Sequence, residues 1–171
     1  MGRLTELGIE TPRSEQGSFQ DELCAMLEAS KLFADLPRKD LETLCKFASI
    51  REAAKGEAIF NEGDRPDCMY VITQGSVRVL KDSGDETKSL TTVSTGHALG
   101  EMSIFDNMPY SASAVAQDPA RLIAFSHRNL ERMTSSHPDL GVKVLKRIGR
   151  LMSLRLRHTT GTLVSLGSLD S

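Results

Sequence analysis

The spacing of hydrophobic and polar positions changes twice along the chain, and each change marks a change of secondary structure. Near the N-terminus, apolar residues recur at helical spacing within residues 18–30 and again within residues 32–49. The first segment has Ser18 as a candidate N-cap, and the second has Pro37 near its start, where a helix tolerates proline. The pattern therefore predicts two helices ahead of residue 50.

From residue 50 onward, short apolar runs alternate with turn residues. The candidate turns contain Gly56, Gly63, Gly75, Gly84 and Gly96. Turn signals about 8–12 residues apart are typical of an antiparallel β-roll or sandwich. The apolar segment ARLIAFS at 120–126 predicts its last strand.

Helical spacing returns after this strand. Residues 128–137 predict a short helix and residues 137–158 a long one. The mixed polar sequences at 1–17 and 159–171 predict a flexible N-terminal arm and a C-terminal tail. The order of helices, strands and helices predicts one α+β domain over residues 18–158.

The composition is that of an ordinary globular protein, with 39% hydrophobic and 26% charged residues. A net charge of −2 argues against a dedicated binder of polyanions, although a local basic surface stays open. No apolar run reaches the ~18 residues of a membrane span, and the N-terminus lacks the apolar core of a signal peptide. We expect a cytoplasmic protein with no membrane partner.

The residue types that build metal and catalytic centres are present but not grouped. Cys24, Cys45 and Cys68 form no CxxC pair, and the histidines are not spaced as metal ligands. The simplest interpretation is free thiols in a reducing compartment and no metal site. No carboxylate pair with a neighbouring base and no Ser–His–Asp order is evident, so we do not expect an enzyme.

One stretch, LGEMSIFDNMPYSASAV at 99–115, combines the groups that would bind a sugar phosphate. Gly100 lets the backbone approach a ligand, and the free N–H groups of a helical turn beginning here would attract an anion. Glu101 would repel a phosphate, so a sugar hydroxyl suits it better, and Ser111 could donate to the anion.

Each of these residues also has an interpretation without a ligand. Glu101 could cap the free amides of the turn, and Gly100 could serve a tight turn alone. Ser111 fits close strand packing equally well, and Tyr110 could fill an emptied pocket.

Several segments, in their order and spacing, resemble the cyclic nucleotide-binding domain. This family includes effector domains of catabolite-activator-type bacterial regulators, regulatory subunits of cyclic-AMP-dependent kinase, and nucleotide-gated channels. Residues 32–48 resemble its entry helix, and GEAIFNEGDRPDCMYVITQGSVRVL at 56–80 resembles its first strands. Residues 99–115 align with its phosphate-binding cassette, and the resemblance extends over residues 32–157.

The resemblance implies an eight-stranded antiparallel β jelly roll with flanking N-terminal helices and a long C-terminal helix that covers the ligand. It implies cyclic AMP or cyclic GMP as the ligand, with Glu101 on the ribose 2′-hydroxyl and Ser111 on the phosphate. The residues whose amides would hold the cyclic phosphate are Gly100, Met102 and Ser103. The residues that would face the base are Thr91, Met152, Arg155 and Leu156.

The chain departs from the family pattern at Tyr110, where the family has an arginine that contacts the phosphate. Tyrosine keeps a hydroxyl donor but loses the charge. A hydrogen bond to a charged group contributes about 1.5–3 kcal/mol, so we expect affinity for a cyclic nucleotide to be roughly ten- to a thousandfold weaker.

The long C-terminal helix predicts a homodimer. It has no acidic residue between Leu140 and Leu169, and its apolar stripe exceeds what one small domain needs. Its basic residues could form a solvated face or a partner surface. The predicted interface residues are Val144, Ile148, Leu151 and Met152.

These observations predict a stand-alone regulatory module that senses a ligand at a degenerate cassette and signals through its C-terminal helix to an unknown downstream protein. Bacterial regulators of the family bind DNA through a helix-turn-helix after this helix, and no such segment follows here, so no direct DNA binding is expected. The alternative is a ligand-free dimerisation or interaction module that keeps only the fold.

Overall fold

The computed structural model describes residues 13–84 and 86–167. The described helices are α1 (Arg13–Ala29), α2 (Arg38–Cys45), α3 (Ser103–Asp106), α4 (His127–Ser136) and α5 (Pro138–Gly167). The described strands are β1 (Ser49–Ala53), β2 (Ala58–Phe60), β3 (Cys68–Gln74), β4 (Ser76–Ser83), β5 (Glu86–Ser94), β6 (Ala98–Leu99), β7 (Ser113–Ala116) and β8 (Ala120–Ser126).

The strands in the described ranges form two four-stranded antiparallel sheets, ordered β1-β8-β3-β6 and β2-β7-β4-β5. Apolar side chains from both sheets, including Ile72, Val77 and Leu122, pack together between them. This arrangement confirms the predicted antiparallel jelly roll with helices before and after it.

A second core lies between the β1-β8-β3-β6 sheet and the helices. Along β3, Met69 and Val71 join the helix-facing core, whereas Tyr70 and Ile72 join the core inside the roll. Successive side chains of a strand point to opposite faces, so β3 is buried on both sides and reads as a continuous apolar run.

The helices at both ends are longer than predicted. Helix α1 already begins at Arg13, so Ser18 is not its N-cap and residues 13–17 are helical rather than a flexible arm. Arg, Glu and Gln favour helix, and an interior Gly17 opposes it by only about 1 kcal/mol. The rest of the predicted arm, residues 1–12, lies outside the described residues.

Helix α5 continues to Gly167, through most of the predicted tail. No proline follows Pro138, so nothing in the sequence forces the helix to end at residue 158. The hydroxyls of Thr159 and Thr160 donate to the carbonyls of Arg155 and Leu156, at 3.0 and 2.9 Å, and leave the backbone helical. Residues 168–171 lie outside the described residues.

The cysteine thiols are free and poorly reactive. Cys24 and Cys45 are buried and Cys68 is half-buried. Burial raises the pKa of the Cys45 and Cys68 thiols, which disfavours the reactive thiolate. Within the described ranges no helix combines the length and apolar character of a membrane span, and no group of three His, Cys, Asp or Glu could hold a metal.

Candidate ligand-binding site

The segment from β6 to β7, residues 98–113, forms the cassette turn, and its start depends on Gly100. β6 pairs with β3, and the chain then turns at Gly100 with φ of +71°. A Cβ at this position would lie 2.9 Å from Cε1 of Tyr110 and 3.1 Å from the carbonyl oxygen of Cys68. Glycine is therefore required both by the backbone angle and by the close packing of the Tyr110 ring.

The short helix α3 follows directly and leaves amide groups free at its start. Hydrogen bonding along this turn begins with the Ile104 N–H, which donates to the Glu101 carbonyl at 3.2 Å. The N–H groups of Met102 and Ser103 therefore have no backbone acceptor within the described ranges. The Met102 side chain is exposed, and Ser103 is buried.

Glu101 and Arg155, predicted separately as contacts to ribose and base, instead bind each other. Glu101 is only 5% exposed. Nη1 of Arg155 donates to Oε1 of Glu101, and Nη2 donates to the Ala98 carbonyl at 2.6 Å. Arg155 thus connects α5 to residues on both sides of Gly100. A ligand hydroxyl could reach only the part of the carboxylate that Arg155 leaves free.

The ring and the hydroxyl of Tyr110 both make their contacts within the protein. It is 4% exposed, and its ring stacks on Phe60 with centroids 3.9 Å apart. Its hydroxyl donates to the Cys68 carbonyl at 2.6 Å and accepts from the Cys68 N–H at 3.1 Å. This corrects the expectation of a ligand contact, since the hydroxyl serves the backbone of β3. The interpretation of Tyr110 as a residue that fills a vacated space agrees with this packing.

Ser111 is exposed, and sequence reasoning missed the cation beside it. Nζ of Lys81 donates to the Ser111 carbonyl at 2.8 Å and forms an ion pair with Glu62. The hydrogen bond from Lys81, helped by the Asp82 N–H, lowers the pKa of the Glu62 carboxyl. The sequence did contain a signal for Lys81. Alternate residues of a strand share a face, so Lys81 lies on the same face of β4 as Val77 and Val79.

The remaining predicted contacts are spread along β5 and α5. Thr91 is exposed on β5, where it pairs with Val79. Its hydroxyl lies 3.5 Å from the Thr92 carbonyl. Met152 is half-buried against the helix-facing core, and Leu156 is exposed.

Two of the four predicted interface residues are placed in the chain's own core. Val144 and Ile148 are fully buried between α5 and the rest of the domain. Leu151 and Met152 are half-buried against the same core. The expectation is therefore corrected for Val144 and Ile148, since a side chain with no exposed surface has nothing to offer a partner.

Both tyrosines of the chain should resist ionisation while the protein is folded. Burial raises the pKa of Tyr70 to about 12 and also raises the pKa of Tyr110, from an ordinary value near 10. The unfolded chain ionises first, so the stability that the neutral phenols contribute is present below about pH 10 and is lost as the pH rises towards 12.

Ultraviolet absorbance of phenolate during a pH titration measures the ionisation of the two tyrosines directly. The denatured protein, titrated in the same way, is the control. Half-maximal phenolate absorbance of the folded protein at about pH 10, as in the denatured protein, would contradict the expected burial of the two rings.

Comparison with known proteins finds the same domain by sequence and by structure. The profile of the cyclic nucleotide-binding domain matches residues 50–137. A solved cyclic nucleotide-binding domain from Methylobacillus flagellatus has a TM-score of 0.76 at 30% identity, covering 86% of this chain and 84% of that one. The catabolite activator protein of Thermus thermophilus has a TM-score of 0.70 at 27% identity, covering 81% of this chain and 63% of that one.

Curated relatives include a CRP-like cAMP-activated global transcriptional regulator from Mycobacterium tuberculosis. It is 25% identical over 142 residues, which is 82% of this chain and 62% of that protein. The cyclic AMP receptor protein of Thermus thermophilus is 27% identical over 133 residues, 77% of this chain and 60% of that protein. The chain thus spans about three fifths of the length of these relatives.

Proposed function

Because the chain belongs to the cyclic nucleotide-binding domain family, we propose that it is a regulatory module that binds a cyclic nucleotide weakly and signals through α5. The Gly100 turn, the free amides of Met102 and Ser103, and the buried carboxylate of Glu101 support this proposal. They are the groups that a cyclic phosphate and a ribose hydroxyl would need, and they occur together in one turn.

The observation that carries the proposal is the contact between Arg155 and Glu101. It joins the carboxylate that would hold ribose to the helix that would carry the signal. A ligand hydroxyl that donates to Glu101 either displaces Arg155 from the carboxylate or forms a second hydrogen bond to it. Ligand binding therefore changes the free energy of holding α5 in place, which is the coupling that a sensor requires.

The weak affinity follows from the position of Tyr110. Its hydroxyl is occupied by Cys68, so no charge and no free donor stands where the family has arginine. The basic group that contacts Ser111 is Lys81, which is paired with Glu62. The anion would thus be held chiefly by amides, and loss of a charged donor weakens binding by roughly ten- to a thousandfold.

Calorimetric titration with cyclic AMP and cyclic GMP tests the proposal. We expect measurable binding to the unmodified protein and about tenfold weaker binding to Glu101→Gln, because a charge-assisted bond to the ribose hydroxyl is lost. Glu131→Gln makes the same chemical change at an exposed residue of α4 and should leave affinity unchanged. Absence of binding heat and of any shift in melting temperature with both nucleotides would refute cyclic nucleotide sensing.

That negative outcome would support the second candidate, a ligand-free interaction module. One observation favours it, namely that polar side chains at the cassette already have partners within the chain. Glu101 is paired with Arg155, and Tyr110 with Cys68. A site whose polar side chains are already paired within the chain needs no ligand to satisfy them.

We also propose that two copies of the chain pair through α5. A seam with alternating spacings of four and three runs along this helix, as in a coiled coil. Its members are Leu145, Gly149, Met152, Leu156, Thr159 and Leu163. Leu156 and Leu163 expose 69% and 63% of their surface, and a Cβ at Gly149 would meet nothing within 4 Å. The C-terminal part of the seam thus lies on open surface, whereas Leu145 and Met152 are half-buried at the edge of the buried face of α5.

A further inference from the structure

Two of the three cysteines lie on neighbouring helices at the N-terminal end of the domain. Cys24 of α1 is 1% exposed, and Cys45 of α2 is 4% exposed. Both belong to the core that packs between the helices and the β1-β8-β3-β6 sheet. Neither lies in the cassette turn, so the proposed nucleotide site does not use them.

An ion pair shows which faces of these two helices meet. Nη1 of Arg38, at the start of α2, lies 3.5 Å from Oε2 of Glu28 on α1. Glu28 follows Cys24 by one helical turn. Cys45 follows Arg38 by about two turns. The two cysteines are therefore on the faces that α1 and α2 present to each other.

The thiols of Cys24 and Cys45 also interact directly. Burial raises the pKa of the Cys45 thiol, and hydrogen bonding with the Cys24 thiol raises it further. The positive charge of Arg38 acts in the opposite direction and favours the thiolate. Cys68 is on β3, and its thiol hydrogen-bonds with Tyr70 instead. The chain thus contains one pair of adjacent thiols and a third thiol apart from them.

We propose that Cys24 and Cys45 form a reversible disulfide that joins α1 to α2 when the protein meets a peroxide. One sulfur attacks hydrogen peroxide, the O–O bond breaks, and a sulfenic acid and water are produced. The second sulfur then attacks the first and displaces its hydroxyl group, which leaves as water with the second thiol proton. Two sulfurs are oxidised, and one peroxide is reduced to two molecules of water.

The surroundings of the pair determine how quickly it reacts. Burial disfavours the thiolate that begins the reaction, so we expect slow oxidation that requires sustained exposure to the peroxide. In a reducing compartment, disulfides of this kind are transient and report a change of redox state. The proposal does not depend on cyclic nucleotide binding.

A disulfide at this position would also affect the contacts of α5. Asp40, which lies on α2 between Arg38 and Cys45, accepts a hydrogen bond from Nζ of Lys143 on α5 at 2.6 Å. Joining α1 to α2 therefore restrains a helix that α5 contacts. The oxidised and reduced proteins would differ in how firmly the N-terminal helices are held beside α5.

A thiol count tests the pairing. The folded protein is treated with an equimolar amount of hydrogen peroxide, separated from the peroxide, unfolded and titrated with a thiol reagent. We expect the three thiols of the chain to fall to one, and dithiothreitol to restore all three. Peptide mapping without reductant should recover the segments of Cys24 and Cys45 joined to each other. Oxidation should raise the melting temperature by about 5 °C or more, because the disulfide restricts the unfolded chain.

Alanine variants of the three cysteines provide matched controls. Cys68→Ala should still lose two thiols, whereas Cys24→Ala and Cys45→Ala should lose none and show no rise in melting temperature. Circular dichroism checks that each variant is folded, and the peptide map of the unmodified protein decides the pairing if one is not. The proposal is overturned if the unmodified protein keeps three thiols, if Cys68→Ala and Cys24→Ala lose thiols equally, or if oxidation lowers the melting temperature.

Discussion

Replacing Arg155 with alanine is expected to lower the free energy of unfolding by about 3 kcal/mol. The variant leaves the carboxylate of Glu101 buried at 5% exposure without its charged partner, and it also removes the donor to the Ala98 carbonyl. The value is at the low end for a broken buried ion pair because 34% of the Arg155 side chain is exposed, so water reaches part of the site. Chemical denaturation followed by circular dichroism measures it.

The matched control is Arg157→Ala, two residues further along the same helix. Arg157 is exposed and has no ion pair with a residue in the described ranges, so its loss should change stability by less than about 0.5 kcal/mol. Alanine and arginine both favour helix, which removes helix propensity as an explanation of the difference.

A double variant distinguishes the contribution of the ion pair to the free energy of unfolding from the contribution of packing. Adding Glu101→Gln to Arg155→Ala replaces the buried charge with a neutral amide and should recover most of the lost stability. If the double variant is no more stable than Arg155→Ala, the loss arises from the bond to the Ala98 carbonyl and the packing of the arginine stem rather than from the ion pair. The inferred coupling of α5 to the Glu101 carboxylate would then be wrong.

Leu156→Glu is expected to abolish association of two copies through α5. The substitution places a charge in the middle of the coiled-coil seam, where it would have to be buried, and we expect the dimer to dissociate about a hundredfold more readily or worse. Leu156 is 69% exposed in the single chain, so the fold itself should be unaffected. Light scattering over a concentration series measures the association.

The control is Leu154→Glu, which makes the same change on the same helix. Leu154 is 56% exposed but lies off the seam, two residues from each of Met152 and Leu156. It should leave association unchanged. A monomeric unmodified protein, or equal dissociation by the two variants, would show that α5 does not pair along this seam.

Salt gives an independent check on the same interface. α5 carries only basic charges beyond Leu140, so two copies placed side by side repel each other. Added salt screens this repulsion and should strengthen the dimer. An interface held by ion pairs would weaken instead.

The local elements of the fold could be predicted from the sequence because their signals are local. Turn glycines marked the β-roll, and helical spacing marked α2, α4 and the first part of α5. The ends of α1 and α5 were predicted poorly, since an interior Gly17 and a run of threonines resemble loop sequence. Helix hydrogen bonds outweigh these weak preferences when nothing breaks the helix.

The sequence singled out the turn around Gly100 as a candidate site, but it did not show the partners of the side chains in that turn. Arg155 contacts a carboxylate 54 positions away, and Tyr110 bonds to a backbone 42 positions away. Such contacts depend on how α5 and β3 are placed in space, which spacing along the chain does not encode. The apolar stripe of α5 was misassigned for the same reason, because periodicity shows that Val144 and Ile148 share a face but not what covers that face.

The hydrogen bonds of Tyr110 also bear on how this chain can change over generations. Cys68 presents one donor and one acceptor to the phenol, and an arginine at position 110 could satisfy only the acceptor, because a guanidinium accepts no hydrogen bond. Replacement by arginine would thus add a positive charge for an anion while leaving the Cys68 N–H unpaired. Tighter anion binding and a stable fold place opposite demands on this residue, and a second substitution near Cys68 would be needed to meet both.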